Sequence, residues 1–290
     1  LLATALIDMH VKCGVLEKAR HVLEGLPIRD TVTWNALISG YAQEDCLGDT
    51  LSCVDQMQTE GLIPNDVTFA CILKACGRRR DIERGEKIHN EIVRCGLLTK
   101  NIMLGTVLVD MYAKCGMPSK GLRVLDALPT RDIWSWSAVI AGYAQVGKGD
   151  EALHCFEQLQ MEGLVPNEVT LVCILKACSE IGALNEGKVI HDEILDRGLL
   201  DKNILLGNAL VDMYAKCGML AKSRQVLEEL PLRDAASYNA VMTGYAKEGQ
   251  GHEVHDCFVR MQTEGIFPDE ITFVCVLSAC SHTGNSHDAQ

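Results

Sequence analysis

Two triplets in this 290-residue chain could hold a metal: His89-Asn90-Glu91 and His191-Asp192-Glu193. A histidine two positions before a glutamate is how zinc deaminases ligate the ion and move a proton, with a later P-C-x-x-C supplying the remaining ligands. No C-x-x-C occurs anywhere in the sequence. The triplets lie 102 positions apart, at equivalent points of a repeated text, so repetition explains the match. Both histidines are read as packing or surface groups. The 14 cysteines repeat in the same way: Cys13, Cys115 and Cys217; Cys53, Cys155 and Cys257; Cys71, Cys173 and Cys275; Cys76, Cys178 and Cys280. Only Cys46 and Cys95 stand outside these series. Most fall within helical apolar patterns, where a free thiol acts as a small core group, and a reducing compartment follows. There is no Gly-rich phosphate loop and no G-x-S-x-G. The chain is therefore read as non-catalytic, holding no metal and no cofactor.

The repetition sets the architecture. "TALIDMHVKCGVL" from Thr4 returns as "TVLVDMYAKCGMP" from Thr106 and "NALVDMYAKCGML" from Asn208. Each 102-residue period contains three related pieces, of 35 residues (Ile133 to Asn167), 36 (Glu168 to Asn203) and 31 (Ile204 to Asp234). Each piece reads as two helices. Trp136, Val139, Ile140 and Tyr143 fall at helical spacing, and Gly147 and Gly149 break the pattern. Asp150 then caps a second helix carrying Leu153, Phe156 and Leu159, which Gly163 and Pro166 end. One such hairpin cannot bury both apolar stripes, whereas stacked neighbours can, so the fold class is all-α. No apolar run is long enough to span a bilayer. The chain starts at Leu1 without a basic, apolar leader, so a targeting peptide is expected to be absent or removed.

A two-helix period near 34 residues also suits tetratricopeptide repeats, which bind peptides, but their W-x-x-L-G-x-x-Y pattern is missing. The segments "VTWNALISGYAQ" from Val32 and "MQTEGLIPN" ending at Asn65 resemble the pentatricopeptide repeat instead, and the frame returns as "SYNAVMTGYAK" and "MQTEGIFPD". Long pieces with "ILKAC" and short ones with "DMYAKCG" and a closing "LP-x-R-D" resemble the P-L-S subclass of plant organelle proteins. That resemblance implies a right-handed α-solenoid superhelix forming one array over 1–290. Its repeats are 1–30 (S), 31–65 (P), 66–101 (L), 102–132 (S), 133–167 (P), 168–203 (L), 204–234 (S), 235–269 (P) and 270–290 (L, cut off). It also implies binding of single-stranded RNA for C-to-U editing or other processing in a mitochondrion or chloroplast, alongside editing or processing factors and without a membrane. Any deaminase would lie beyond Gln290 or in another chain.

In this family the fifth and last residues of a repeat face the base, whose edge a single strand leaves open to hydrogen bonding. Carried over, Thr4 with Asp30 implies G, and Asn35 with Asn65 implies C, then U. Thr106 with Asp132 implies G and Ser137 with Asn167 implies A. Asn208 with Asp234 and Asn239 with Asp269 each imply U. Ala70, Val172 and Val274 are apolar at the fifth place and leave their bases unspecified. The implied partner is 5′-G-(C/U)-n-G-A-n-U-U-3′. Asparagine, aspartate, serine and threonine are also ordinary helix caps, a second reading of the same residues. The second residue of a repeat is expected to wedge against the base, as Val32 and Leu205 could; Ala236 is too small, and Trp134 could stack or belong to the core. Lys12, Lys114, Lys216 and Lys247, near first-helix ends, are expected to face phosphate. The net charge of −12 weighs against nucleic acid and keeps a peptide-binding scaffold as the alternative. Glu83, Glu86, Glu151, Glu157, Glu228 and Glu229 fall on second helices, but Asp8, Asp110 and Asp212 share the first helices with those lysines. The reading face is then only mildly basic, with specificity carried by base contacts more than by counterion release.

Overall fold

An aspartate or asparagine closes each repeat, and in the computed structural model, which describes residues 2–98 and 101–287, that residue caps the next first helix. Asp30 accepts from the Thr33 amide at 2.8 Å while its own amide donates to Thr33 Oγ1 at 3.0 Å. The same reciprocal box forms between Asn65 and Thr68, Asp132 and Ser135, and Asp234 and Ser237. Asn101, Asn167 and Asn203 cap with the side-chain oxygen alone. Each cap contributes about 1 kcal/mol and fixes where a repeat starts.

The chain divides into two compact halves, Leu1–Val146 and Gly147–Gln290, and the division falls inside the 133–167 repeat. The first half holds α1 (Leu2–Lys12), α2 (Leu16–Glu24), α3 (Thr31–Gln43), α4 (Leu47–Thr59), α5 (Asp66–Arg79), α6 (Ile82–Arg94), α7 (Ile102–Lys114), α8 (Pro118–Ala127) and α9 (Ile133–Gln145). The second holds α10 (Gly149–Met161), α11 (Glu168–Ile181), α12 (Leu184–Asp196), α13 (Ile204–Lys216), α14 (Leu220–Glu229), α15 (Ala235–Lys247), α16 (Gly251–Thr263) and α17 (Glu270–His287). No strand occurs among the described residues.

Within each half the first helices pack on one another in a continuous layer, α1-α3-α5-α7-α9 and α11-α13-α15-α17. The second helices pack against the first helices and form the other layer. They reach each other through long side chains: Lys120 to Glu86, Arg224 to Glu253 and Asp256, and Arg260 to Glu228. The stripes meet in a core of Trp34, Ile38, Leu108, Trp136, Val139 and Ile140 in the first half, and of Leu175, Leu210, Tyr214, Tyr238 and Met242 in the second. The "LP" of the short repeat has a packing role. Leu128 covers Gly105 so closely that an added Cβ would lie 2.5 Å from Leu128 Cδ2, and Leu230 covers Gly207 likewise.

Two local expectations change. Asp150 does not cap α10; Lys148 holds that position without a side-chain cap bond, and Asp150 sits in the first turn. There its charge still favours the helix N-terminus. The series Cys13, Cys115 and Cys217 is not core, being exposed at Cys13 and half-buried in the other two, because it follows the first helix where the chain turns. Cys76 and Cys178 are fully buried, and burial pushes both thiols up to about 12. The histidines of the H-x-E triplets engage tyrosines: His89 Nδ1 lies 2.8 Å from Tyr112 Oη and His191 Nδ1 lies 2.9 Å from Tyr214 Oη. Desolvation holds both imidazoles below their ordinary pKa. The end of the 270–290 repeat lies outside the described residues.

Candidate functional site

The fifth and last residues of the short and 35-residue repeats are 26 or 30 positions apart, yet the stacked hairpins bring several of these pairs into contact. Asn35 Nδ2 donates to Asn65 Oδ1 at 3.0 Å. Asn239 Nδ2 donates to Asp269 Oδ1 at 2.9 Å, and Asn208 Nδ2 lies 3.1 and 3.3 Å from the two oxygens of Asp234. Thr106 Oγ1 is 3.5 Å from Asp132 Oδ1 and nearer, at 3.2 Å, to the Ile102 carbonyl. Ser137 donates to the Ile133 carbonyl at 2.6 Å, while Asn167, in the other half, accepts from the Thr170 amide at 2.9 Å. Asn65, Asp132, Asp234 and Asp269 are thus caps and contacts of the fifth residue at once. One oxygen does the capping, which leaves the second oxygen of Asp269 and the amide of Asn65 uncommitted, whereas both oxygens of Asp234 face Asn208 and the Asn101 amide donates to Asp66. The fifth residues of the 35-residue repeats lie deep, Asn35 being 8 %, Ser137 5 % and Asn239 4 % exposed, whereas Thr4, Thr106 and Asn208 are half-buried and Asn65 and Asp269 are exposed. Backbone and side-chain donors at Thr272 and the Asn239 amide hold the Asp269 carboxyl below the usual range, so it stands as a carboxylate.

The second residues of the repeats are mostly apolar and exposed. Val32, Trp134 and Leu205 are 60 %, 63 % and 65 % exposed, so Trp134 is not core. Val67, Met103, Val169 and Ile271, second in their own repeats, are exposed as well. These four were missed, although the repeat frame places them as plainly as it places Val32. The lysines are divided. Lys114 pairs with Asp110 at 2.6 Å and Lys216 with Asp212 at 2.7 Å, each one helical turn apart. Lys12 and Lys247 are exposed at the ends of α1 and α15. In the second half a groove of about 650 Å³ gathers Val172, Asn208, Lys216, Asn239, Lys247 and Asp269, which places hydrogen-bonding pairs, apolar wall and cations along one cleft.

This arrangement recurs at the pitch of a known repeat. The PPR repeat family matches residues 29–78, 131–180 and 233–282, and the PPR repeat matches 67–97, 106–133 and 208–234. The chain belongs to the PPR repeat family. A mitochondrial pentatricopeptide repeat-containing protein of Arabidopsis thaliana is 38 % identical over 275 residues, which cover 94 % of this chain and 43 % of that protein. A chloroplastic one from the same plant is 36 % identical over 283 residues, covering 98 % and 35 %. The chain spans less than half the length of the curated relatives it matches. Among solved structures, PPR10 in complex with an 18-nt psaJ RNA element superposes with a TM-score of 0.79 at 19 % identity, over 96 % of this chain and 42 % of that one.

Chemically, each PPR pair offers a short, fixed set of donors and acceptors. Asn35 and Asn65 leave N–H groups uncommitted, whereas Asn239 and Asp269 leave one N–H and one carboxylate oxygen. The first set complements two adjacent acceptors, and the second an acceptor beside a donor. Cytosine presents O2 and N3 as acceptors; uracil presents a carbonyl oxygen beside N3–H. Thr68 and Thr272, which bond the fifth asparagines, were also missed. Their signal is a threonine third in the long repeats, at 68, 170 and 272.

Proposed function

We propose that this PPR array binds single-stranded RNA and selects its sequence through the fifth and last side chains of successive repeats. The observation that carries this reading is the set of bonded pairs Asn35–Asn65, Asn208–Asp234 and Asn239–Asp269, of which the first and last leave uncommitted atoms that differ as cytosine and uracil edges differ. The exposed apolar second residues supply surfaces against which bases stack or wedge, a contact worth about 1–3 kcal/mol per base for aromatic groups. The ion pairs on the short repeats reduce the cationic charge of the face, so affinity depends on base contacts more than on counterion release. The P-L-S alternation and the mitochondrial and chloroplastic relatives support a role in selecting plant organelle transcript sites for C-to-U editing or other processing, with the chemistry carried outside this array.

The test is binding of 5′-GCAGAAUU-3′ against an RNA with its G and A letters exchanged. The first RNA binds more tightly. Equal affinity refutes the assignment of letters, and binding of peptides with no crosslinking to RNA refutes the whole reading.

A further inference from the structure

The three fifth-position asparagines differ in the fate of the side-chain oxygen. Thr68 Oγ1 donates to Asn35 Oδ1 at 2.7 Å, and Thr272 Oγ1 donates to Asn239 Oδ1 at 2.7 Å. Both threonines are fully buried. Each hydroxyl accepts from a capping amide, Asn65 N–H at 3.2 Å and Asp269 N–H at 3.1 Å. Its single proton has two acceptors in reach, the fifth-position asparagine oxygen at 2.7 Å and the cap oxygen, Asn65 Oδ1 at 3.1 Å or Asp269 Oδ1 at 3.0 Å; the shorter contact takes the proton. Ser237 occupies the same third place after Asn208, but its hydroxyl donates to the Asp234 carbonyl at 2.8 Å. Asn208 Oδ1 is buried with no hydrogen-bond partner.

We propose that Thr68 and Thr272 are specificity-determining residues: by occupying the asparagine oxygen they fix Asn35 and Asn239 as donors toward the base, whereas no bond holds the oxygen of Asn208. An amide carries a donor and an acceptor side by side, so an asparagine with both free satisfies a base edge of either kind. Quenching the oxygen removes that tolerance. A turned-over amide is also opposed, because it would set the asparagine oxygen against Oδ1 of Asn65 or Asp269, which the cap amide holds in place at 3.1 and 2.9 Å. Two repeats with the same Asn–Asp pair, 208 with 234 and 239 with 269, therefore differ in stringency. The difference comes from a residue in the following repeat.

The inference rests on the RNA reading above, and the experiment separates the two. The full chain is measured as wild type, Thr68→Val, Thr68→Ser and Ser237→Ala, against 5′-GCAGAAUU-3′ and 5′-GUAGAAUU-3′, and against single changes at the two 3′ uridines. Ser237→Ala is the control for the cap, because it removes a box hydroxyl that touches no asparagine. Wild type prefers C over U at the second letter. Thr68→Val gives the uracil N3–H an acceptor and cuts that preference by about tenfold, the value of one buried hydrogen bond. Thr68→Ser restores it, and preferences at the other letters stay. Ser237→Ala weakens binding without changing the preference opposite Asn208. Should Thr68→Val fail to fold, as a circular-dichroism melt would show, Thr68→Ala carries the same expectation. A C-to-U ratio unchanged in the folded variant overturns the proposal, as does Ser237→Ala erasing the preference at its own letter. A wild type that binds RNA with no preference at the second letter also overturns it, while a wild type that binds no RNA overturns the underlying reading.

Discussion

Replacing Asn65 by aspartate should convert a cytosine reader into a uracil reader without disturbing the helix it caps. Asn65 Oδ1 accepts from the Thr68 amide at 3.1 Å and from Asn35 Nδ2 at 3.0 Å, and an aspartate oxygen takes over both bonds. Asparagine and aspartate are equivalent caps, so the cap itself costs nothing. The new carboxylate would adjoin Asp66, an arrangement already present where Asp269 precedes Glu270. What changes is the second atom, from an N–H donor to an oxygen acceptor. Against cytosine N3 this replaces a bond by two facing acceptors, and against uracil N3–H it replaces a clash by a bond. A mismatch of this kind costs about 1–3 kcal/mol, and because Asn65 is exposed the lower half of that range applies. The ratio of C to U affinity at the second letter should thus move toward U by roughly 10-fold, about 1.4 kcal/mol. Fluorescence anisotropy with the two octamers reads the ratio, and a melt that matches wild type shows the cap is intact. A folded Asn65→Asp chain with the wild-type ratio would refute the assignment of the last residue to the base.

Three further outcomes follow from the packing and the charges. Lys247→Ala should lower the slope of log affinity against log salt by about 1, while Lys216→Ala, whose cation already pairs with Asp212, should lower it less; equal slopes would remove Lys247 from the phosphate path. Gly142→Ala would place a Cβ 2.8 Å from Ala113 Cβ and 3.1 Å from its Cα, so the α7–α9 contact must open; a loss of about 1–3 kcal/mol, read as a lower urea midpoint, is expected, and an unchanged midpoint would refute the close approach. His191 is buried with a depressed pKa, so the unfolded chain takes up the proton first: stability is full above about pH 6.5 and falls as acidification approaches the folded pKa. Melts at pH 7.5 and 5.5 should show that drop, and His191→Gln should shrink it.

The starts of the first helices were legible because a single residue type, aspartate or asparagine, both ends a repeat and caps a helix. Second helices mostly lack this signal, Asp81 at the start of α6 being the exception. Met117, Lys148 and Met219 sit at their caps with no side-chain bond, which is why Asp150 was placed there wrongly. The fifth-to-last contacts came from the family resemblance; neither helical spacing nor composition joins residues 26 or 30 apart. Trp134 stayed undecided because an apolar residue second in a helix suits either face until the neighbouring helix is in place. The hydroxyls of Thr68 and Thr272 escaped notice for a related reason. Threonine at the third helical position already has a complete local role in the capping box, and only the stacked repeat shows that its proton goes elsewhere.

The double duty of the closing Asp or Asn shifts the grain of the modularity. Asp234, for instance, ends one repeat, starts the helix of the next and touches Asn208 behind it. A letter of the recognition text therefore spans a whole hairpin and the first turn of the next one. Anyone assembling arrays from such parts should carry that first turn along with each hairpin; blocks divided at the repeat border keep the fifth and last residues together but strip the last one of the helix it caps.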